Sequence, residues 1–102
     1  MAKNVLLLGR KPFVLDDVRR NLTVRDVNLF SGTTLDDVKD AFERDVIDMV
    51  IMGAGLDLEV RLAIVRHVFT ISTATTVHMK DRDSGQPGMM PFVDRILRGL
   101  TG

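Results

Sequence analysis

The chain has 102 residues, 45% of them hydrophobic and 27% charged, and Lys plus Arg equals Asp plus Glu at 14 each. This is the size and composition of one globular domain, residues 1–102, able to bury its own core. The balanced charge leaves no net field to draw nucleic acid or an anionic membrane surface, and the absence of cysteine excludes disulfides, thiolate metal sites and thiol catalysis and fits a cytoplasmic protein.

Met1-Ala2-Lys3-Asn4 leads into the apolar run Val5-Leu6-Leu7-Leu8. The run is too short for the core of a signal peptide or for a membrane span. Apolar throughout and closed by Gly9, it predicts a parallel strand buried on both faces. Arg10 and Lys11 follow. Pro12 suits the first turn of a helix, where its missing N–H costs nothing. Val14, Leu15, Val18 and Leu22 then recur at helical spacing, with Asp16, Asp17, Arg19 and Arg20 on the wet face.

Val27-Asn28-Leu29-Phe30 is a less apolar strand, expected nearer an edge, and Ser31-Gly32-Thr33-Thr34 reads as a turn. Thr33 or Thr34 can cap the next helix, Asp36 and Asp37 favour its positive end, and Leu35, Val38, Ala41 and Phe42 form its inner stripe. Asp45 to Asp48 lead into Met49-Val50-Ile51-Met52, which reads as the central strand and ends in the glycine turn Gly53-Ala54-Gly55.

The segment Asp57 to Ile71 predicts the longest helix, with two adjacent apolar stripes. Leu58, Leu62, Val65 and Phe69 form the first; Val60, Ile64, Val68 and Ile71 form the second. Together they exceed what one sheet face needs. Either the helix is half-buried against its neighbours, or the second stripe is a self-association surface. Thr75-Thr76-Val77-His78-Met79 is β-branched enough for a fourth strand. Lys80 to Gly88 reads as a polar loop. Pro91 opens a last helix, whose buried face is Phe92, Val93, Ile96, Leu97 and Leu100.

Alternating strands and helices of these lengths imply an α/β fold: a three-layer αβα sandwich on a four-stranded parallel sheet in the order 2-1-3-4. That order puts the two most apolar strands in the middle.

The stretch Val5-Leu6-Leu7-Leu8-Gly9-Arg10-Lys11-Pro12-Phe13-Val14-Leu15 resembles the opening of a response-regulator receiver domain. The spacing onward to the end of the third strand also matches the place of that family's phosphoacceptor aspartate. The resemblance rests on layout and apolar pattern over roughly the first 70 residues, and it implies a flavodoxin-like, receiver-like fold. The departures bear on function. Gly9, Arg10 and Lys11 stand where the family carries its acidic pair, and Gly53, beside Ala54 and Gly55, stands where it carries the phosphoacceptor. A Mg²⁺ site needs oxygen ligands, usually carboxylates, and these positions supply none, so phosphoryl transfer to an aspartate is not expected. One helix follows the fourth strand, where the family has a further helix–strand pair. Lys80 follows a strand as the family's lysine does, but a different strand, and no role carries over.

In a parallel sheet the loops after each strand gather at one edge. The residues expected to bind a ligand there are Arg10, Lys11, Gly32, Thr33, Gly53, Gly55 and Lys80, a set of cations, a hydroxyl and accessible backbone suited to an anion such as phosphate. Asp81 and Arg82 would lie beside them. Ordinary turn and capping roles are the alternative. The first turn lacks G-x-G-x-x-G, and Ser31-Gly32 offers no acid for a ribose hydroxyl, which argues against NAD. His67 and His78 have no carboxylate at metal-ligand spacing. Ser72, Thr73, Thr75 and Thr76 lack a nucleophile elbow. Met89-Met90-Pro91-Phe92 offers either core filling or an adaptable docking surface. No catalytic residue, metal ligand or cofactor is assigned.

The expected function is a non-catalytic receiver-like module that acts through a protein partner or as a homodimer, with the helix Asp57 to Ile71 as its contact, and without nucleic acid or membrane. The alternative is a small-anion or nucleotide-binding protein, which would leave an enzyme open, using the strand-end loops.

Overall fold

The computed structural model describes residues 2–80 and 89–101. Strand and helix alternate through β1 (Lys3–Leu8), α1 (Leu15–Asn21), β2 (Val27–Gly32), α2 (Leu35–Arg44), β3 (Met49–Met52), α3 (Leu58–Ile71), β4 (Thr76–Met79) and α4 (Met89–Thr101). The sheet is wholly parallel in the order β2-β1-β3-β4. Val5 pairs with Met49 and Leu8 with Met52, so the two central strands run in step to their C-terminal ends.

Side chains of the central strands alternate between two cores. Val5, Leu7, Met49 and Ile51 pack with Val18 and Leu22 from the α1 side and with Val93 and Leu97 of α4. Leu6, Leu8, Val50 and Met52 pack with Val38 of α2 and Ile64 and Val68 of α3 on the other face. Helices therefore cover both faces, which is the three-layer α/β arrangement. The reason lies in the connections. The β1–α1–β2 crossover moves one way along the sheet and β3–α3–β4 the other, and right-handed crossovers of opposite direction place their helices on opposite faces. Each fully buried aliphatic side chain contributes about 1.5–3 kcal/mol, and both faces of β1 and β3 are filled this way.

Element ends differ from the sequence reading where tertiary bonds intervene. Pro12 lies ahead of α1, which begins only at Leu15. The Phe13 N–H donates to Ser31 Oγ at 2.8 Å, so the chain is tied across the end of β2 before it turns helical. Ser31 and Gly32 belong to β2, not to a turn, because β1 reaches them: Leu7 pairs with Ser31 and Leu8 with Gly32. Thr34 caps α2 in a reciprocal box with Asp37. α4 opens at Met89, with Pro91 inside its first turn, where the missing N–H would have no helical partner. Residues 81–88 of the expected polar loop, and the side chain of Leu100, lie outside the described part.

The largest correction concerns α3. Ile64 and Val68 of the second stripe are fully buried and cannot associate with another molecule. The first stripe is the more exposed: Leu58, Leu62 and Phe69 are 60%, 47% and 59% exposed, although Ile71 at the end of the second is 48% exposed and Val65 of the first packs partly against the protein's own core. The helix is rotated so that Arg61, Ile64 and Val68 face inward, and that rotation turns the Leu58–Phe69 stripe outward.

Candidate functional site

Gly9 to Lys11 leave the end of β1, and Gly53 to Gly55 leave the end of β3. These strands are neighbours whose following helices depart to opposite faces, and such a switch point opens a crevice in parallel sheets. Here the crevice is a cleft of about 890 Å³. Arg10, Lys11, Gly53, Gly55 and Lys80 line it, with Phe13, Met89 and Met90 as apolar wall. Five of the seven residues expected at the site are thus brought together.

Gly32 and Thr33 are not among the residues lining the cleft. They serve the start of α2 instead. Asp37 Oδ2 accepts from the Thr33 N–H at 2.8 Å, from its hydroxyl at 3.1 Å and from the Thr34 N–H at 3.2 Å. The Thr33 amide foremost, with the other donors, holds the Asp37 carboxyl below its ordinary pKa, against a smaller opposing effect of burial. A Cβ on Gly32 would lie 2.9 Å from Asp37 Cβ, so the glycine there admits the first turn of α2, not a ligand.

Lys80 departs from the expectation of an exposed loop cation. It is 2% exposed, and its N–H continues the ladder to the Met52 carbonyl at 2.9 Å. Gly53 likewise donates to the Leu8 carbonyl at 2.8 Å. Arg10 and Lys11 are exposed and supply the cleft's accessible positive charge. Asp17 also lines the cleft, and its carboxylate pairs with Arg20 at 2.7 Å.

Sequence reasoning missed Arg61. This side chain is 7% exposed and holds the strand ends from below. Nε donates to the Leu56 carbonyl at 3.0 Å, Nη1 to Lys80 at 3.1 Å and Nη2 to Gly53 at 3.0 Å. One planar guanidinium thereby links the ends of β3 and β4 to the loop before α3, a use suited to its fixed fork of donors. Arg61 stands three and seven residues before Ile64 and Val68, a spacing that marks it as inward only once that stripe is known to face the sheet.

Elsewhere, Asp94 of α4 accepts from the Thr23 N–H at 2.8 Å and the Thr23 hydroxyl at 2.9 Å, and Arg98 lies 3.2 Å away. The Thr23 amide above all lowers the Asp94 pKa. This joint ties α4 to the α1–β2 connection. His78 on β4 is lowered by burial. Met89 fills the core and Met90 packs partly against it, which favours core filling for that segment. Among the described residues, no group of three or more His, Cys, Asp or Glu is placed to hold a metal ion, and no helix is long and apolar enough to cross a membrane.

Fold and cleft together define a parallel α/β protein with a crevice at its switch point into which, among the described residues, Arg10 and Lys11 bring positive charge and Asp17 the one carboxylate. Compared with family models, with curated proteins and with solved structures, the chain matches none.

Proposed function

We propose that the chain is a non-catalytic, receiver-like module of flavodoxin-like strand order that works in the cytoplasm through protein contact, with α3 as the contact surface. The observation that carries this reading is the row Leu58, Leu62 and Phe69, each about half exposed or more, on a helix whose other face is locked to the sheet. Taking one such side chain out of water yields roughly 1.5–3 kcal/mol, so a partner that covers the row gains several such contributions at once. The cleft supports the same reading from the other side. Gly9, Arg10, Lys11 and Gly53 occupy the positions where a receiver would need acids, and a cationic pair repels Mg²⁺ instead of ligating it.

A second reading has its own observation. Arg10 and Lys11 share the cleft with the Gly53–Gly55 backbone, and its volume of about 890 Å³ falls within the range of small-ligand sites. A phosphate-bearing small molecule is the ligand that chemistry would select.

Thermal unfolding separates the two. The chain lacks Tyr and Trp, so far-UV circular dichroism is the signal. A panel of inorganic phosphate, nucleotides and dinucleotides leaves the midpoint unchanged under the protein-contact reading. A ligand at about 100 times its dissociation constant would add about 2.7 kcal/mol, several degrees for a domain this size. Such a shift, abolished in an Arg10→Ala/Lys11→Ala double variant, would replace the first reading with the second.

A further inference from the structure

The partner of α3 is legible in the helix itself, given the protein-contact reading on which this inference rests. We propose that α3 pairs with α3 of a second copy of this chain, antiparallel about a two-fold axis that passes between Leu62 and Val65.

The outward row Leu58, Leu62, Val65, Phe69 advances by four, three and four residues. That is the spacing of a coiled-coil seam, which keeps one narrow stripe facing a partner helix. The seam is also centred on itself. Around an axis between Leu62 and Val65, Leu58 meets Phe69 of the partner subunit and Leu62 meets Val65 of the partner subunit. Each end then sets a leucine against a phenylalanine, and the same patch serves both copies, as a two-fold interface requires.

Charge selects the direction. Glu59 and Arg66 are both exposed and flank the seam on its solvent side, each one position after a seam residue. In an antiparallel pair these flanks run beside each other. Glu59 lies alongside Arg66 of the partner subunit, and Arg66 alongside Glu59 of the partner subunit. At a rise of 1.5 Å per residue the two are offset by about 3 Å along the axis, within reach of two long side chains. A parallel pair would instead set this flank against the opposite flank of the partner helix. That flank carries Arg61 and Val68, and both are buried in the protein's own fold. The helix therefore has complementary charges for the antiparallel arrangement and none to spare for the parallel one.

The position of α3 leaves room for such a pair. It connects β3 to β4, and β4 is the last strand of the sheet. Among the described residues, α2 is the other helix on that face, and it lies on the β2 side of α3, away from β4.

Sedimentation equilibrium with interference optics tests the pair, since the chain has no Tyr or Trp for absorbance. Wild type should show a concentration-dependent monomer–dimer equilibrium. Leu62→Glu should be monomeric, with circular dichroism confirming that it folds, as its exposed position allows. Glu59→Arg alone, or Arg66→Glu alone, sets two like-charged contacts across the axis and should weaken the dimer roughly tenfold. The double reversal Glu59→Arg/Arg66→Glu restores opposite charges in both contacts and should return the affinity to within about twofold of wild type. A wild type monomeric at every concentration overturns the pair, as does a double reversal no tighter than the single ones. These failures differ from failure of the protein-contact reading, which is registered by ligand-induced stabilisation.

Discussion

Arg61 Nη2 donates to the carbonyl of Gly53 at 3.0 Å, from inside a helix that otherwise presents aliphatic side chains to the sheet. With its two other bonds, to Leu56 and Lys80, the guanidinium satisfies carbonyls that the strands cannot pair once they end. It thereby sets the height at which β3 and β4 stop and the shape of the cleft floor above them. Burying a cation is costly unless its donors are used, and here all three nitrogens bond.

Removal of that side chain should be among the most damaging single changes available. Arg61→Met keeps the bulk but leaves three carbonyls without a donor, at about 1–3 kcal/mol for each one that water cannot reach. A loss of about 3 kcal/mol, or at least about 12 °C in Tm, is expected by circular dichroism. Arg61→Lys should recover only part of it, because one ammonium cannot span three diverging acceptors. A variant within about 1 °C of wild type would refute this role.

The joint between Thr23 and Asp94 should behave as a unit. Thr23→Val removes the hydroxyl bonds and Asp94→Asn weakens the acceptor, each expected to cost about 1 kcal/mol. The double variant should cost less than the sum, since both changes remove the same contact. Strict additivity in a denaturant-based cycle would show the contact to be energetically silent.

At the start of α2, two neighbouring residues should fail for different reasons. Thr34→Ala deletes the capping bond to the Asp37 N–H and should cost about 1 kcal/mol. Gly32→Ala introduces a Cβ at 2.9 Å from Asp37 Cβ, forcing the helix start away from β2, with a cost of about 1–3 kcal/mol. Ligand binding in the cleft, if present, should survive Gly32→Ala, because Gly32 does not line it.

Acid should destabilise the protein through Asp37 and Asp94. Both carboxyls have folded pKa values below the ordinary one, so the unfolded chain binds protons first as pH falls. Their contribution is complete above the unfolded value of about 3.9 and is lost as pH drops through the lower folded values. Unfolding midpoints at pH 6, 4, 3 and 2 should fall most steeply below pH 4, and Asp94→Asn should flatten that fall. An unchanged slope in the variant would count against the Thr23 contact as its source.

Much of the fold was decided by local sequence. Val5–Leu8 and Met49–Met52 are apolar at every position, and only the centre of a parallel sheet buries both faces of a strand. That alone places these two strands in the middle of the sheet. Thr34 with Asp37 three residues later encodes a helix start wherever the chain goes. Tertiary structure decided the rest, because the deciding partners lie far away in sequence. The two stripes of α3 are similarly apolar, so periodicity cannot choose between them; the choice falls to strand-end carbonyls that Arg61 meets only after β3 and β4 have assembled. Thr33 reads like an anion-binding residue until Asp37 occupies its donors, and Gly32 does so until the first turn of α2 packs against it. Lys80 reads like a loop cation until its backbone extends the ladder beside Met52 and draws it into the interior. A hydrophobic pattern specifies which residues leave water, whereas the direction of a hydrogen bond depends on where its acceptor has been carried by the rest of the chain.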